Sequence, residues 1–470
     1  MKHTVLLGWI GTLASVASMA YGLPPTDNNA VAKAQPKPWN FMVYMVNNNN
    51  LNRYGLQNMR QMVRVGSGDK MNILLQMDDF GNRGFIRFFI ERNNAAMVQS
   101  VLRPTHFSGT PENLFDFASW GIGAYPAQKQ ALVLWNHGAG IKDPHIWGKM
   151  LAKWRDEFLV FNSETGRFEL DRSCVSEQGL RQKLAAFEAR ESADKQFLTE
   201  RGIAFNDMTQ TYLSNEDLTQ ALGDICAKLL GHKKLDLLVL DACHMAMIEV
   251  ASQVKSYARV LVGSEEIEPG SGYSYESLLE QVRSKDFDAF SLGKHIVTCY
   301  EEEYCDTMSD YTQSAIDLTC VASVESNVDR VAASLITLLD VDSDRARCVL
   351  LAVRNNKRLT TEFLDTDYID LYHFYQSLEV ACSDKNAAYG VGNAAAKPLW
   401  QALAGMLTSG MHLMKQVIIA NAAGVTLSNA HGLSIYFPTE SMHNSYCKTE
   451  FARTNTWPKF LERYLRLRRA

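Results

Sequence analysis

The stretch Leu235-Asp236-Leu237-Leu238-Val239-Leu240, continued by Asp241-Ala242-Cys243, decides how this chain folds. Its apolar residues form a run of strand length that is nearly unbroken rather than alternating, the pattern of a strand buried on both faces. Similar short apolar runs occur at residues 41–46, 73–77, 85–90, 131–135 and 260–264. Between them lie helix-like stretches at 53–65, 114–121 and 215–230, the last preceded by Ser214 with Asp217 three residues on, a capping box. Strand and helix alternate, which predicts an α/β fold with a mainly parallel sheet flanked by helices.

Two regions break this rhythm and set the expected domain organisation. Residues 141–203 form a charged insertion within a core spanning 39–300. Residues 301–470 read as a largely helical C-terminal region with one last strand at 433–437, ended by Pro438. At the other end, Lys2 and His3 precede an apolar stretch over 5–20 and the small-residue pattern Ala20-Tyr21-Gly22. Residues 1–22 are read as a cleaved export signal, and 23–38, with Pro24, Pro25, Pro36 and Pro38, as a Pro-rich linker. A secreted or periplasmic location follows. No internal run reaches the roughly 18 to 20 uninterrupted apolar residues of a membrane span, so none is expected after signal cleavage.

The chain of 470 residues carries a formal charge of -5 and no basic stripe with interleaved aromatics, so nucleic acid is not an expected partner. Its nine cysteines include no C-x-x-C pair, which removes support for zinc-ribbon or thioredoxin-like chemistry. Cys299 and Cys305 stand nearest together in sequence, and an odd total leaves at least one thiol over.

Two strand ends carry candidate chemistry. Residues 131–135 run into Asn136-His137-Gly138-Ala139-Gly140, and residues 235–240 into Asp241-Ala242-Cys243. Functional groups of open parallel sheets collect beyond the carboxyl ends of strands. A helix expected over 245–253 would place Cys243 at its N-terminus, where the dipole favours thiolate. The glycines around His137 let backbone approach a substrate, and the Gly138 N–H, with that of Cys243, can serve a developing oxyanion. His137 then acts as general acid and Cys243 as nucleophile, through an acyl-enzyme that water resolves. Each residue alone has a plainer explanation, a small buried hydrophobe for the cysteine and a polar turn residue for the histidine.

The motifs N-H-G-A-G (136–140) and L-D-A-C-H-M-A-M-I-E-V (240–250) resemble those of the clostripain family of cysteine peptidases, grouped with caspases, legumains, gingipains and separases. Further blocks resemble the family in the right order: W-N-F-M-V-Y-M-V-N-N-N-N-L from Trp39, G-I-A-F-N-D from Gly202, V-G-S-E-E-I-E-P-G-S-G-Y-S-Y from Val262, D-Y-I-D-L-Y from Asp367 and G-L-S-I-Y-F-P from Gly432. The resemblance implies a caspase-like fold, a catalytic dyad of His137 and Cys243, and a peptide or protein substrate. It also places Asp241 in a pocket for a basic side chain, hence cleavage after Arg or Lys.

Several departures bear on those implications. Relatives carry an acid within the P-G-x-G loop, where this chain has Ser271, so one pocket charge is expected to be missing. His244 follows the nucleophile in place of the usual apolar residue and is expected to point away from it. The insertion, with Arg172, Arg181, Lys183, Arg190 and Lys195, matches either a self-cleaved linker or a solvated surface excursion. Certain relatives need calcium, but no D-x-D-x-D-G loop occurs, and no cofactor is assigned. Two other functions use the same residues: an inactive binding protein on this fold, and a cysteine amidase or transpeptidase.

Overall fold

The computed structural model describes residues 35–79, 81, 83–143, 159–162, 167–170, 203–382 and 393–469. The expected export signal, most of the linker, Cys174 and the five basic insertion residues lie outside them.

The first strands are β1 (Lys37–Met45), β2 (Met71–Asp78), β3 (Phe85–Glu91), β4 (Asn94–Val101) and β5 (Ala127–Trp135). Two hairpins follow, β6 (Leu159–Asn162) with β7 (Arg167–Leu170), and β8 (Ile203–Asn206) with β9 (Thr211–Leu213). Then come β10 (Leu235–Asp241), β11 (Ala258–Gly263), β12 (Thr312–Asp317), β13 (Tyr368–Asp370), β14 (Ile418–Ala423) and β15 (Ser434–Tyr436). One nine-stranded sheet has the order β14-β12-β11-β10-β5-β1-β2-β3-β4. Its centre, from β11 through β10, β5 and β1 to β2, is parallel. Antiparallel pairing adds β3 and β4 at one edge and β12 and β14 at the other.

The unbroken apolar runs are explained by burial on both faces. Leu238 and Leu240 of β10, with Leu132 and Leu134 of β5, pack into a core with Leu114, Phe117, Leu218 and Val250. Those residues come from the helices Pro111–Ala124, Asn215–Asp224 and Ile248–Val254. Leu237 and Val239 of β10, with Val133 of β5, face the opposite core. There the helices Asn52–Val65, Tyr275–Ser284 and Ala289–Tyr304 supply Met62, Leu278 and Ile296. The Ser214–Asp217 capping box forms as expected, and the helix it starts passes into a π-helical turn at Ile225–Leu229.

The segment after residue 300 differs from its expected form. Besides its helices, it places β12 and β14 in the central sheet. Its last strand, β15, pairs instead with β13 in a separate two-stranded sheet. Val328, Leu403 and Phe460 share one core with Met42 and Leu132.

Arg354, fully buried, ties this segment together. Its guanidinium meets Glu362 at 2.6 Å and donates to the carbonyls of Thr366 (2.6 Å) and Phe437 (3.0 and 2.7 Å). Removing one partner of a buried pair leaves the other uncompensated, so Arg354→Ala is expected to cost about 3–5 kcal/mol. Denaturant unfolding checks this; a loss below about 1 kcal/mol, the scale of an exposed pair, would contradict it.

Candidate active site

Neighbouring strands β5 and β10 run parallel with Asp241 opposite Trp135, so their carboxyl ends are level. The Asn136 N–H donates to the Asp241 carbonyl at 3.2 Å, joining the two turns that carry the candidate residues. The Asn136 side chain fixes the first turn. Its Oδ1 accepts from the N–H groups of His137 (2.6 Å) and Phe205 (2.9 Å), while its amide donates to the carbonyls of Val46 and Phe205. The turn after β5 is thereby pinned to the end of β1 and to β8.

Gly138 lies against the second turn. A Cβ there would stand 2.4 Å from the Cys243 carbonyl oxygen and 2.9 Å from the Ala242 Cβ. Any side chain would force the two turns apart, so the H-G dipeptide is a packing requirement as well as a source of N–H groups. His137 is buried, with Nε2 2.7 Å from Asn50 Oδ1. An amide oxygen only accepts, so the hydrogen sits on Nε2 and Nδ1 is the basic nitrogen. Asn50 was not singled out from the sequence, where 47–50 reads only as a polar stop after β1. The available signal was its position: four asparagines at the carboxyl end of a buried strand beside the histidine strand.

Cys243 is placed differently from expectation. The helix after it is Ile248–Val254, so Cys243 sits in a turn before the helix rather than at its N-terminus. The dipole argument for a thiolate therefore fails. Burial pushes the thiol up to about 12, with the Glu268 and Glu266 carboxyls adding to the rise and the N–H groups of Glu268 and Gly138 opposing it. The Glu268 N–H donates to Cys243 Sγ at 3.3 Å. At neutral pH the resting group is a thiol, and a base must take its proton when it attacks.

His244 turns away, as expected. It has φ +58, in the left-handed region. Its Nδ1 lies 2.8 Å from the Glu265 carbonyl, and its ring packs edge-on against Tyr368. Burial lowers its pKa, which keeps the ring neutral.

The surroundings of Asp241 contain a residue the sequence reading missed. Asp241 is buried and accepts from the Tyr275 hydroxyl at 2.7 Å, with Gly272 so close that a Cβ would lie 2.7 Å from Oδ1. Its carboxyl also shares a hydrogen bond with that of Glu268, and burial pushes both upward. Gln313 Nε2 holds Glu268 Oε1 at 2.9 Å and the Tyr273 hydroxyl at 2.8 Å. Ser271, by contrast, pairs its hydroxyl with that of Tyr304 at 2.8 Å. Glu268 stands just ahead of P-G-S-G, outside the position where an acid was sought.

Cys299 and Cys305 are both free thiols. Among the described residues no group of three or more His, Cys, Asp or Glu side chains is placed to hold a metal ion. Nor is any described helix long and apolar enough to cross a membrane.

A mainly parallel sheet flanked by helices, with a cysteine and a histidine beyond two level strand ends, is the layout of a caspase-like cysteine peptidase. The chain belongs to the clostripain family, whose sequence profile matches residues 43–154 and 189–464. No curated protein sequence matches the chain. The fold is similar to solved cysteine proteases. One is a secreted C11 cysteine protease from Bacteroides thetaiotaomicron bound to an irreversible peptide inhibitor (TM-score 0.53, 16% identity, covering 91% of this chain and 99% of that one). Another is an inactive zymogen C11 protease from Parabacteroides distasonis (TM-score 0.53, 16% identity, 89% and 98% covered). A third is a secreted C11 cysteine protease from B. thetaiotaomicron called iotapain (TM-score 0.56, 12% identity, 89% and 99% covered).

Proposed function

We propose that the protein is an exported cysteine endopeptidase that uses Cys243 and His137 and favours Arg or Lys on the acyl side of the cut. The observation that carries this reading is the contact between the two turns, with Gly138 packed on the Cys243 backbone and His137 adjoining it. Cys243 Sγ attacks the peptide carbonyl as its proton passes to His137 Nδ1, forming the C–S bond. The oxyanion is met by the backbone N–H groups of Gly138 and Cys243. His137 returns the proton to the leaving amine, the C–N bond breaks and a thioester remains. Water then attacks the thioester with His137 as base, releasing the acid and restoring the thiol. Asn50 holds the imidazole in the tautomer these steps require. Export is supported by the reading of residues 1–22, and two similar solved proteases are described as secreted.

The preference rests on Asp241, a buried carboxyl close behind the nucleophile, since a cation entering such a site needs a partner. A peptide library digested by the mature protein, with the cut sites sequenced, is expected to show Arg or Lys before the cut. A charge-assisted contact of about 1.5–3 kcal/mol predicts roughly 10- to 100-fold selection over a neutral residue of similar size. Asp241→Asn should erode that selection. A profile led by Asp, Asn or large apolar residues would refute the pocket assignment and leave the pair of Cys243 and His137 untouched.

A further inference from the structure

We propose that Tyr368 is a positioning residue for the reaction: reaching in from the segment after residue 300, it holds the His137 loop against the turn that carries Cys243. The inference rests on His137 and Cys243 being the reacting pair. The Tyr368 side chain is fully buried and touches both turns. Its hydroxyl donates to the Ala139 carbonyl at 2.6 Å, one residue past Gly138. Its ring lies edge-on to that of His244, the residue after the nucleophile. The two turns meet at this hydroxyl. A Cβ at Gly140 would stand 3.0 Å from Tyr368 Oη and 3.1 Å from the His244 carbonyl oxygen, and Gly140 has φ +59. The second glycine of N-H-G-A-G therefore admits the tyrosine, as the first admits the Cys243 backbone.

The stretch that carries Tyr368 is braced toward both turns. Lys142, at the far end of the His137 loop, is buried with its ammonium 2.9 Å from Asp365, 2.9 Å from Asp367 and 5.3 Å from the centre of the Tyr368 ring. On the nucleophile side, the Leu364 N–H donates to the Glu266 carboxyl at 3.1 and 3.0 Å. The Glu266 carbonyl in turn accepts from the His244 N–H at 3.1 Å. From behind, Arg354 grips the Thr366 carbonyl, and the Phe437 N–H donates to the Asp367 carbonyl at 2.7 Å. Tyr368 itself begins β13, opposite Tyr436 of β15. A fixed strip of backbone, distant in sequence from both turns, thus sets how they meet. Attack requires His137 Nδ1 and the Gly138 N–H to be aligned on Cys243 Sγ, and a misplacement on the order of 1 Å can cost about 10²-fold in rate. Without the hydroxyl, the Ala139 carbonyl keeps the 3.1 Å bond from the Lys142 N–H within its own turn, which does not tie the loop to β13. Alignment that matters in the transition state is felt in kcat rather than in KM.

The test compares Tyr368→Phe with the unaltered mature protein on a peptide amide taken from the cut sites of the library digest. Rates are expressed per active site, titrated to completion with the peptidyl chloromethyl ketone of the same sequence. In Tyr368→Phe, kcat is expected to fall about 10- to 100-fold while KM stays within about twofold. A merely structural role would lower the melting temperature and the titratable fraction but leave kcat per titrated site unchanged, and that result overturns the proposal. A raised KM with unchanged kcat would place Tyr368 in substrate binding and also overturns it. Failure of the underlying reading shows separately. Hydrolysis that survives Cys243→Ala, or normal kcat in His137→Ala, removes the reacting pair and this inference together. Normal kcat in Tyr368→Phe beside a depressed one in His137→Ala refutes the role of Tyr368 alone. Should Tyr368→Phe fail to fold by circular dichroism, Asp367→Asn decides, since it loosens the hold on Lys142 at a partly exposed carboxylate. There kcat per site is expected to fall about threefold or more, and an unchanged kcat overturns the proposal.

Discussion

Replacing Cys243 by Ala is expected to lower kcat/KM by roughly 10⁵- to 10⁶-fold, the scale on which removal of an enzyme nucleophile is felt. The change deletes one sulfur from a partly exposed side chain in a turn, so stability should shift by less than about 1 kcal/mol. Loss of activity with retained melting behaviour therefore reports chemistry rather than unfolding. Cys226, beside the first residue of β10 and hydrogen-bonded to the Tyr257 carbonyl, provides the contrast: Cys226→Ala should keep its activity. Comparable hydrolysis by Cys243→Ala in a metal-free preparation would show that another group performs the attack.

The second large effect concerns His137. His137→Ala is expected to lower turnover by about 10²- to 10⁴-fold, the range for a positioned proton-transfer group. The geometry around Cys243 adds a sharper expectation. No helix N-terminus stabilises its thiolate, and burial pushes the thiol up to about 12. A group with a raised acid pKa stays protonated until pH approaches that value, so its thiolate fraction climbs about tenfold per pH unit below it. Alkylation of Cys243 by iodoacetamide in His137→Ala should thus be slow at neutral pH and rise without levelling off below about pH 10. A plateau near neutrality would mean a preformed thiolate. Near-normal turnover in His137→Ala would assign proton transfer elsewhere.

The sheet was legible in the sequence where strands are buried on both faces. β5 and β10 are unbroken apolar runs because helices cover them from both sides, and their strand ends marked His137 and Cys243. β12, Thr312-Gln313-Ser314-Ala315-Ile316-Asp317, carries no such run. Its polar side chains find individual partners, Thr312 in Ser264, the Gln313 amide nitrogen in Glu268 and Tyr273, and Ser314 in the Gly432 carbonyl. β4 escapes notice for another reason: as an edge strand with much of its length exposed, it needs no apolar pattern. β14 follows the helix Lys397–Val417 without a breaker, so its start has no local signal.

The site was legible in part for similar reasons. Apolar spacing over 245–253 suggested a helix beginning beside Cys243. Tertiary contacts override its first turn: His244 takes a left-handed conformation, and Ala246 donates its N–H to the Ser264 carbonyl. Glu268 was hidden because motif comparison directs attention to the residue between the two glycines, while the folded loop brings the residue before Pro269 against Asp241. Asn50 is distant from His137 in sequence and meets it only because β1 and β5 are neighbours.

The central claim is that Cys243 forms the covalent bond to substrate. The most direct measurement is mass spectrometry of the protein after inactivation by short peptidyl chloromethyl ketones carrying Arg, Gln or Leu at the reactive end, followed by peptide mapping. One adduct per chain, located on Cys243 and formed fastest with the Arg reagent, is the predicted result. Inactivation with the adduct on another cysteine, or on no cysteine at all, would contradict it.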